Sequence, residues 1–268
     1  MISTFRTYAV TLGVTLLIAG SFASIASANH SWGGYHWART TNPFTLKLGD
    51  NVSSTWDSYL VLASSDWSVS NVLDATVVVG SSNPKNCRAT LGLVQVCNST
   101  YGNNGWLGVA SVWISGVHIV QGTVKVNDTY FNTSSYNTPG WRKLVMCQEI
   151  GHTFGLDYQD TTFNNPNLGT CMDYTNDPDG TLFNQLSNEH PNAHDYEELG
   201  IIYSHLDTTT TVSASKSALP AVANDEALDG SAAWGKEIRT SYDGHNSLFE
   251  RDLGKGNKIF TFVIWAKK

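Results

Sequence analysis

The chain has 268 residues, enough for one good-sized domain plus an appendage. Hydrophobic residues make up 41% and charged residues 15%, which argues against general disorder. The formal net charge is −7 with no long basic run, which argues against nucleic acid as a partner and is compatible with a soluble monomer.

Residues 1–28 read as a secretory signal peptide. Arg6 supplies the positive charge, Ala9 to Ala19 form an apolar core short for a membrane span, and Ala26-Ser27-Ala28 fits the small-x-small cleavage rule. No later apolar run is long enough to span a bilayer, so the expected destination is extracellular. His36 to Arg39 and Phe44 to Leu48 alternate like a first strand, and Trp56 to Trp67 carries apolar residues at helical spacing. Strand signals follow at Thr76–Val79, Leu93–Cys97, Val109–Ile114 and Gly122–Asn127. Four cysteines in an exported chain suggest two disulfides, and Cys87 and Cys97 are close enough in sequence to close a short loop.

Thr138-Pro139 is a good helix start, with Thr as N-cap and Pro at the first helical position. The helix is expected to run to Phe154 and end at Gly155. A loop rich in Asn, Asp and Gly follows, and Pro191 to Leu206 reads as a third helix. His190 and His194 stand at i, i+4 near its start, a spacing that can hold a metal. Residues 208–230 read as a linker, and 231–268 as a small β unit with a strong strand at Ile259–Trp265 and a turn at Gly254–Asn257. Sequons at Asn51, Asn98, Asn127 and Asn132 mean glycosylation only where the cell has that machinery.

The densest stretch is Gln148-Glu-Ile-Gly-His-Thr-Phe-Gly-Leu-Asp-Tyr158. On a helix, positions i and i+4 share a face, so two ligands there can grip one ion, with a Glu beside the first acting as general base. A Gly after the second ligand lets the chain turn and return a third. Glu149, His152 and Gly155 hold the base, second-ligand and turn positions, while Gln148 and Tyr158 stand where two histidines would. Downstream lies Gly169-Thr-Cys-Met-Asp-Tyr174.

These motifs resemble the metzincin metalloproteases, and matrixins most closely, over roughly residues 36–206. The resemblance implies an α+β catalytic domain over 29–207 with a twisted mixed sheet, three main helices and a methionine turn at Met172. It implies Zn²⁺ held by His152, Gln148 and Tyr158, Tyr174 as an extra ligand, and Glu149 as general base in peptide hydrolysis. It also brings Cys147 and Cys171 together as a disulfide, the other readings of Cys147 being a free thiol or a ligand. An extended polypeptide substrate would pair with an edge strand near Trp106–Ala110.

An amide oxygen is a poorer zinc ligand than imidazole, and a phenol with a reference pKa of about 10 must lose its proton to bind. Mn²⁺ or another hard divalent ion would suit such a set, with Asp157 and Asp160 as compensating carboxylates. Two functional readings therefore stand side by side: a secreted metalloendopeptidase, and a catalytically inactive binding protein on the same fold. A third assigns the function to the C-terminal unit as a surface or glycan adhesin.

Overall fold

The computed structural model describes residues 29–214 and 230–267; the signal-peptide segment and most of the linker lie outside the described residues. The chain runs β1 (His36–Trp37), β2 (Phe44–Asn51), α1 (Asp57–Trp67), β3 (Leu73–Val79), β4 (Val94–Ser99), β5 (Trp106–Ser115) and β6 (His118–Asn127). It continues through α2 (Asp128–Phe131), α3 (Pro139–His152), α4 (Ala193–Ile202), β7 (Lys236–Thr240), β8 (Asn246–Gly254) and β9 (Asn257–Trp265). The expected single first strand is two: Pro43 lacks the N–H that a ladder needs, and β1 pairs with β6 while β2 lies between β3 and β4.

All these strands belong to one mixed sheet, ordered β3-β2-β4-β6-β5-β9-β8-β7 with β1 alongside β6. The β3, β2, β4 and β6 part is parallel, and β5, β9, β8 and β7 continue it antiparallel. Residues 236–265 thus extend the sheet of the preceding domain. The turn into β9 has positive φ at Lys255 (54°) and Gly256 (76°), which a tight primed hairpin turn requires at both central positions.

Strand alternation explains how β9 is buried on both faces. Phe260, Phe262 and Ile264 join the main core beneath the helices, whereas Ile259 and Val263 join a second cluster with Trp106, Val109, Trp113, Trp234 and Phe249. The turn at Gly116 carries the chain from β5 into β6.

Helix α3 starts as its sequence dictates: the Thr138 side chain accepts the Trp141 N–H, and Pro139 follows. It is buried nearly all round, so it sits inside the fold rather than on it. Gly151 lets it approach α1 and the loop below, because a Cβ there would lie 2.6 Å from Met172 Sδ and 2.7 Å from the Trp67 ring. The Trp67 indole donates to the Cys147 carbonyl at 3.1 Å, joining α1 to α3. Disulfides link Cys87 to Cys97 and Cys147 to Cys171, the second tying α3 to the loop that carries Met172.

The Cys147–Cys171 bond closes a loop of sequence separation 24. Replacing both residues with serine is expected to lower the unfolding free energy by about 3 kcal/mol, mostly by freeing the unfolded chain. Urea unfolding checks this: the midpoint should fall, and an unchanged midpoint contradicts the stapling role.

Candidate active site

Helix α3 delivers Gln148, Glu149 and His152 to one region, and the chain leaves it through Gly155, whose φ is 103°. A side chain at Gly155 would be strained by that φ and would put a Cβ 2.6 Å from the Tyr35 carbonyl. The turn returns Leu156 beneath His152, and the His152 Nδ1 lies 2.8 Å from the Leu156 carbonyl. A carbonyl only accepts, so Nδ1 carries the hydrogen and Nε2 presents a lone pair. Burial lowers the His152 pKa to about 4, which keeps the ring neutral at ordinary pH.

The surrounding polar atoms are sealed and largely unpartnered. Gln148 Nε2 donates to the Cys171 carbonyl at 2.7 Å, leaving Oε1 without a partner. Both Glu149 oxygens, His152 Nε2 and the Tyr158 hydroxyl are likewise buried without hydrogen bonds. Burial pushes the Glu149 carboxyl well above the usual carboxylate range; the Ala110 amide opposes this without closing a hydrogen bond. Burial also raises the Tyr158 phenol far above its ordinary value, so it stays protonated. Its ring meets His152 edge-on at 4.7 Å.

Strand β5 approaches the helix at Gly108, where a Cβ would lie 2.6 Å from Glu149 Oε1 and 2.6 Å from Val145 Cγ1. Met172 lies fully buried against Gly151, beneath α3. Tyr174, which the resemblance implies as a possible extra ligand, donates its hydroxyl to the Trp265 carbonyl at 3.0 Å.

Three other readings meet a different arrangement in the fold. The stretch Trp106–Ala110 is no free edge: β9 pairs with it, Trp106 facing Trp265, Val109 facing Val263 and Ala110 facing Phe262. The apolar C-terminal strand completes the ladder that an edge would leave open. Nor do Asp157 and Asp160 serve as spare carboxylates. Asp157 receives both arms of Arg239 from β7 at 2.5 and 2.6 Å, and Asp160 accepts the Thr162 amide at 2.7 Å and the Asn165 side chain. His190 and His194 also do not act as a pair: His190 Nδ1 meets Asp66 at 2.7 Å, while the His194 ring packs on His30.

Phe262 of β9 closes the site, stacking on His152 with centroids 4.1 Å apart and planes within 10°. A cleft of about 950 Å³ does open nearby, lined by Phe163, His245, Trp265 and Lys267 among others, but neither Glu149 nor His152 lines it. Among the described residues, three or more His, Cys, Asp or Glu ligand atoms converge only at His36, His205 and Asp207, away from this motif. No local spacing could have shown the whole group, because His36 lies 169 residues along the chain from His205.

No protein-family profile matches the chain, and no curated protein matches it. Among solved structures, it is similar to high choriolytic enzyme 1, a hatching-enzyme zinc protease from Oryzias latipes (medaka fish). The identity is 12% and the TM-score 0.35, over 65% of this chain and 96% of that one.

Phe262→Ala should cost about 3–5 kcal/mol of stability and uncover His152. Peptide-mapped diethylpyrocarbonate labelling checks this: His152 should be inert in the parent and labelled in the variant. Equal labelling of His152 in both would contradict the cover.

Proposed function

We propose that this protein is an exported metalloendopeptidase held latent by its own C-terminal strands. The observation that carries the reading is the buried group of Glu149, His152 Nε2 and Gln148 Oε1, polar atoms gathered on one helix face without hydrogen-bond partners. The donors suit a divalent ion: one neutral imidazole whose other nitrogen is held by a carbonyl, with an amide oxygen beside it. Tyr158 would join only by losing a proton that burial holds tightly. Such an oxygen-rich set suits Zn²⁺ weakly and Mn²⁺ better. When bound, the ion supplies Lewis-acid polarisation of the scissile carbonyl and acidification of water.

The remaining work belongs to the chain. Glu149, beside Gly108, would take the proton from attacking water and pass it to the leaving amine. Its raised proton affinity suits that exchange. Strand β5 would align an extended polypeptide by main-chain hydrogen bonds once β9 is displaced. Export is supported by the two disulfides, and no helix among the described residues is long and apolar enough to cross a membrane.

A second reading, a non-catalytic binding protein, is favoured by Phe262, which fills the space above His152. The two separate experimentally. The chain beginning at Asn29 and a version ending at Ala214 are incubated with Zn²⁺ or Mn²⁺ and an unstructured protein. Latency predicts negligible cleavage by the longer form, cleavage by the shorter, and at least about a hundredfold loss with Glu149→Ala. If the shorter form is folded by circular dichroism and still does not cleave, the enzyme reading fails.

A further inference from the structure

We propose a second metal centre, built by His36, His205 and Asp207, that takes a zinc-class divalent ion and fastens the N-terminal segment to the end of the α4 region. The three ligand atoms are His36 Nε2, His205 Nε2 and Asp207 Oδ1. Their separations are 3.2 Å between the two nitrogens, 3.5 Å from His36 to the carboxylate and 3.7 Å from His205 to it. A tetrahedral zinc with bonds of about 2.0–2.1 Å spaces its ligands about 3.4 Å apart. The site therefore needs little movement to close on an ion.

The atoms behind the ligands are arranged for the same end. His36 Nδ1 lies 3.1 Å from the Gly34 carbonyl, so it carries the hydrogen and leaves Nε2 as a lone pair. Arg39 donates to Asp207 Oδ2 twice, from its backbone amide at 3.1 Å and from Nη1 at 3.0 Å, which turns Oδ1 toward the histidines. His118 Nε2 stands 3.1 Å from that same Oδ1 and acts as a positioning residue on the carboxylate. In the neutral form, the His36 lone pair and an acceptor-only carboxylate oxygen face one another across 3.5 Å, an arrangement that a cation resolves.

Burial and place suit a structural ion. The His36 and Asp207 side chains are 6% and 10% exposed, while His205 is 54% exposed and gives the ion a way in. His36 pairs with His118 where β1 joins β6, so the site stands at the far end of β6 from Val126, the residue that faces Gly108 beside Glu149. Along the strand that is about 26 Å, at ~3.3 Å per residue. The centre shares no ligand with the α3 site, although Tyr35 beside His36 touches Gly155, and it does not depend on the protease reading. Asp207 and Thr211 also donate their amides to the Arg39 and Ala38 carbonyls, at 2.9 Å each, so the ion would reinforce an existing seam.

The test uses the chain from Asn29, stripped with chelator and titrated with Zn²⁺, with bound metal read by elemental analysis after gel filtration and stability read by thermal unfolding. The parent and His152→Ala should both retain one zinc equivalent and show a zinc-dependent rise in Tm. His205→Ala should lose both; because His205 is half exposed, its removal leaves the core in place. His36→Gln should lose them too, and His118→Ala should weaken zinc roughly 10–100-fold. Parent and His152→Ala proteins that retain no zinc overturn the proposal. So does an equivalent that survives both His205→Ala and His36→Gln.

Discussion

The pairing of β9 with β5 is the contact on which the rest of the architecture depends. It runs nearly the full length of both strands, from Trp106 and Trp265 to Ser115 and Asn257. It joins the mostly parallel half of the sheet to the antiparallel half, and β9 supplies side chains to the cores on both faces. Without it, β5 would present a row of unpaired amides and carbonyls flanked by Trp106 and Trp113. The same strand lays Phe262 across His152, so sheet closure and site closure are one event.

That closure sets the electrostatics of α3. A carboxyl, an imidazole and a phenol are packed under an apolar strand, and each is pushed toward its neutral form by lost hydration. The close approach that achieves this relies on two small residues: Gly108 admits Glu149 against β5, and Gly151 admits Met172 and Trp67 against the helix. Arg239 then ties β7 to Asp157, two residues past the turn-forming Gly155 in neither strand nor helix, so the cover is held by charge at its rim as well as by apolar contact at its centre.

Much of this was legible in the residues, for identifiable reasons. The cap at Thr138 and Pro139, the glycine exit at 155 and the strand signal at Ile259–Trp265 are local, and each maps onto an observed element. The partner of β9 was not legible, because a period of two shows that a strand forms and which faces it buries, without saying whom it pairs with. The resemblance therefore implies a free edge at Trp106–Ala110, and β9 occupies the flank where a substrate would have paired. The engagement of Asp157 by Arg239 and of Tyr174 by Trp265 was hidden for the same reason: both partners come from strands more than sixty residues downstream. His36, His205 and Asp207 meet only because β1 runs beside β6 and the chain after α4 returns to it.

The place of β9 in the chain has a consequence for biogenesis. Val109 and Val263 are cross-strand neighbours separated by more than half of the polypeptide. During synthesis, β5 and α3 emerge well before the strand that covers them, so the nascent chain passes through a stage with a wet, open edge and an accessible His152. A premature stop between α4 and β9 would leave β5 without its partner, yielding a product whose exposed edge invites association with other chains. The order of residues along the polypeptide thus acts as a clock that keeps the site open early and shuts it late.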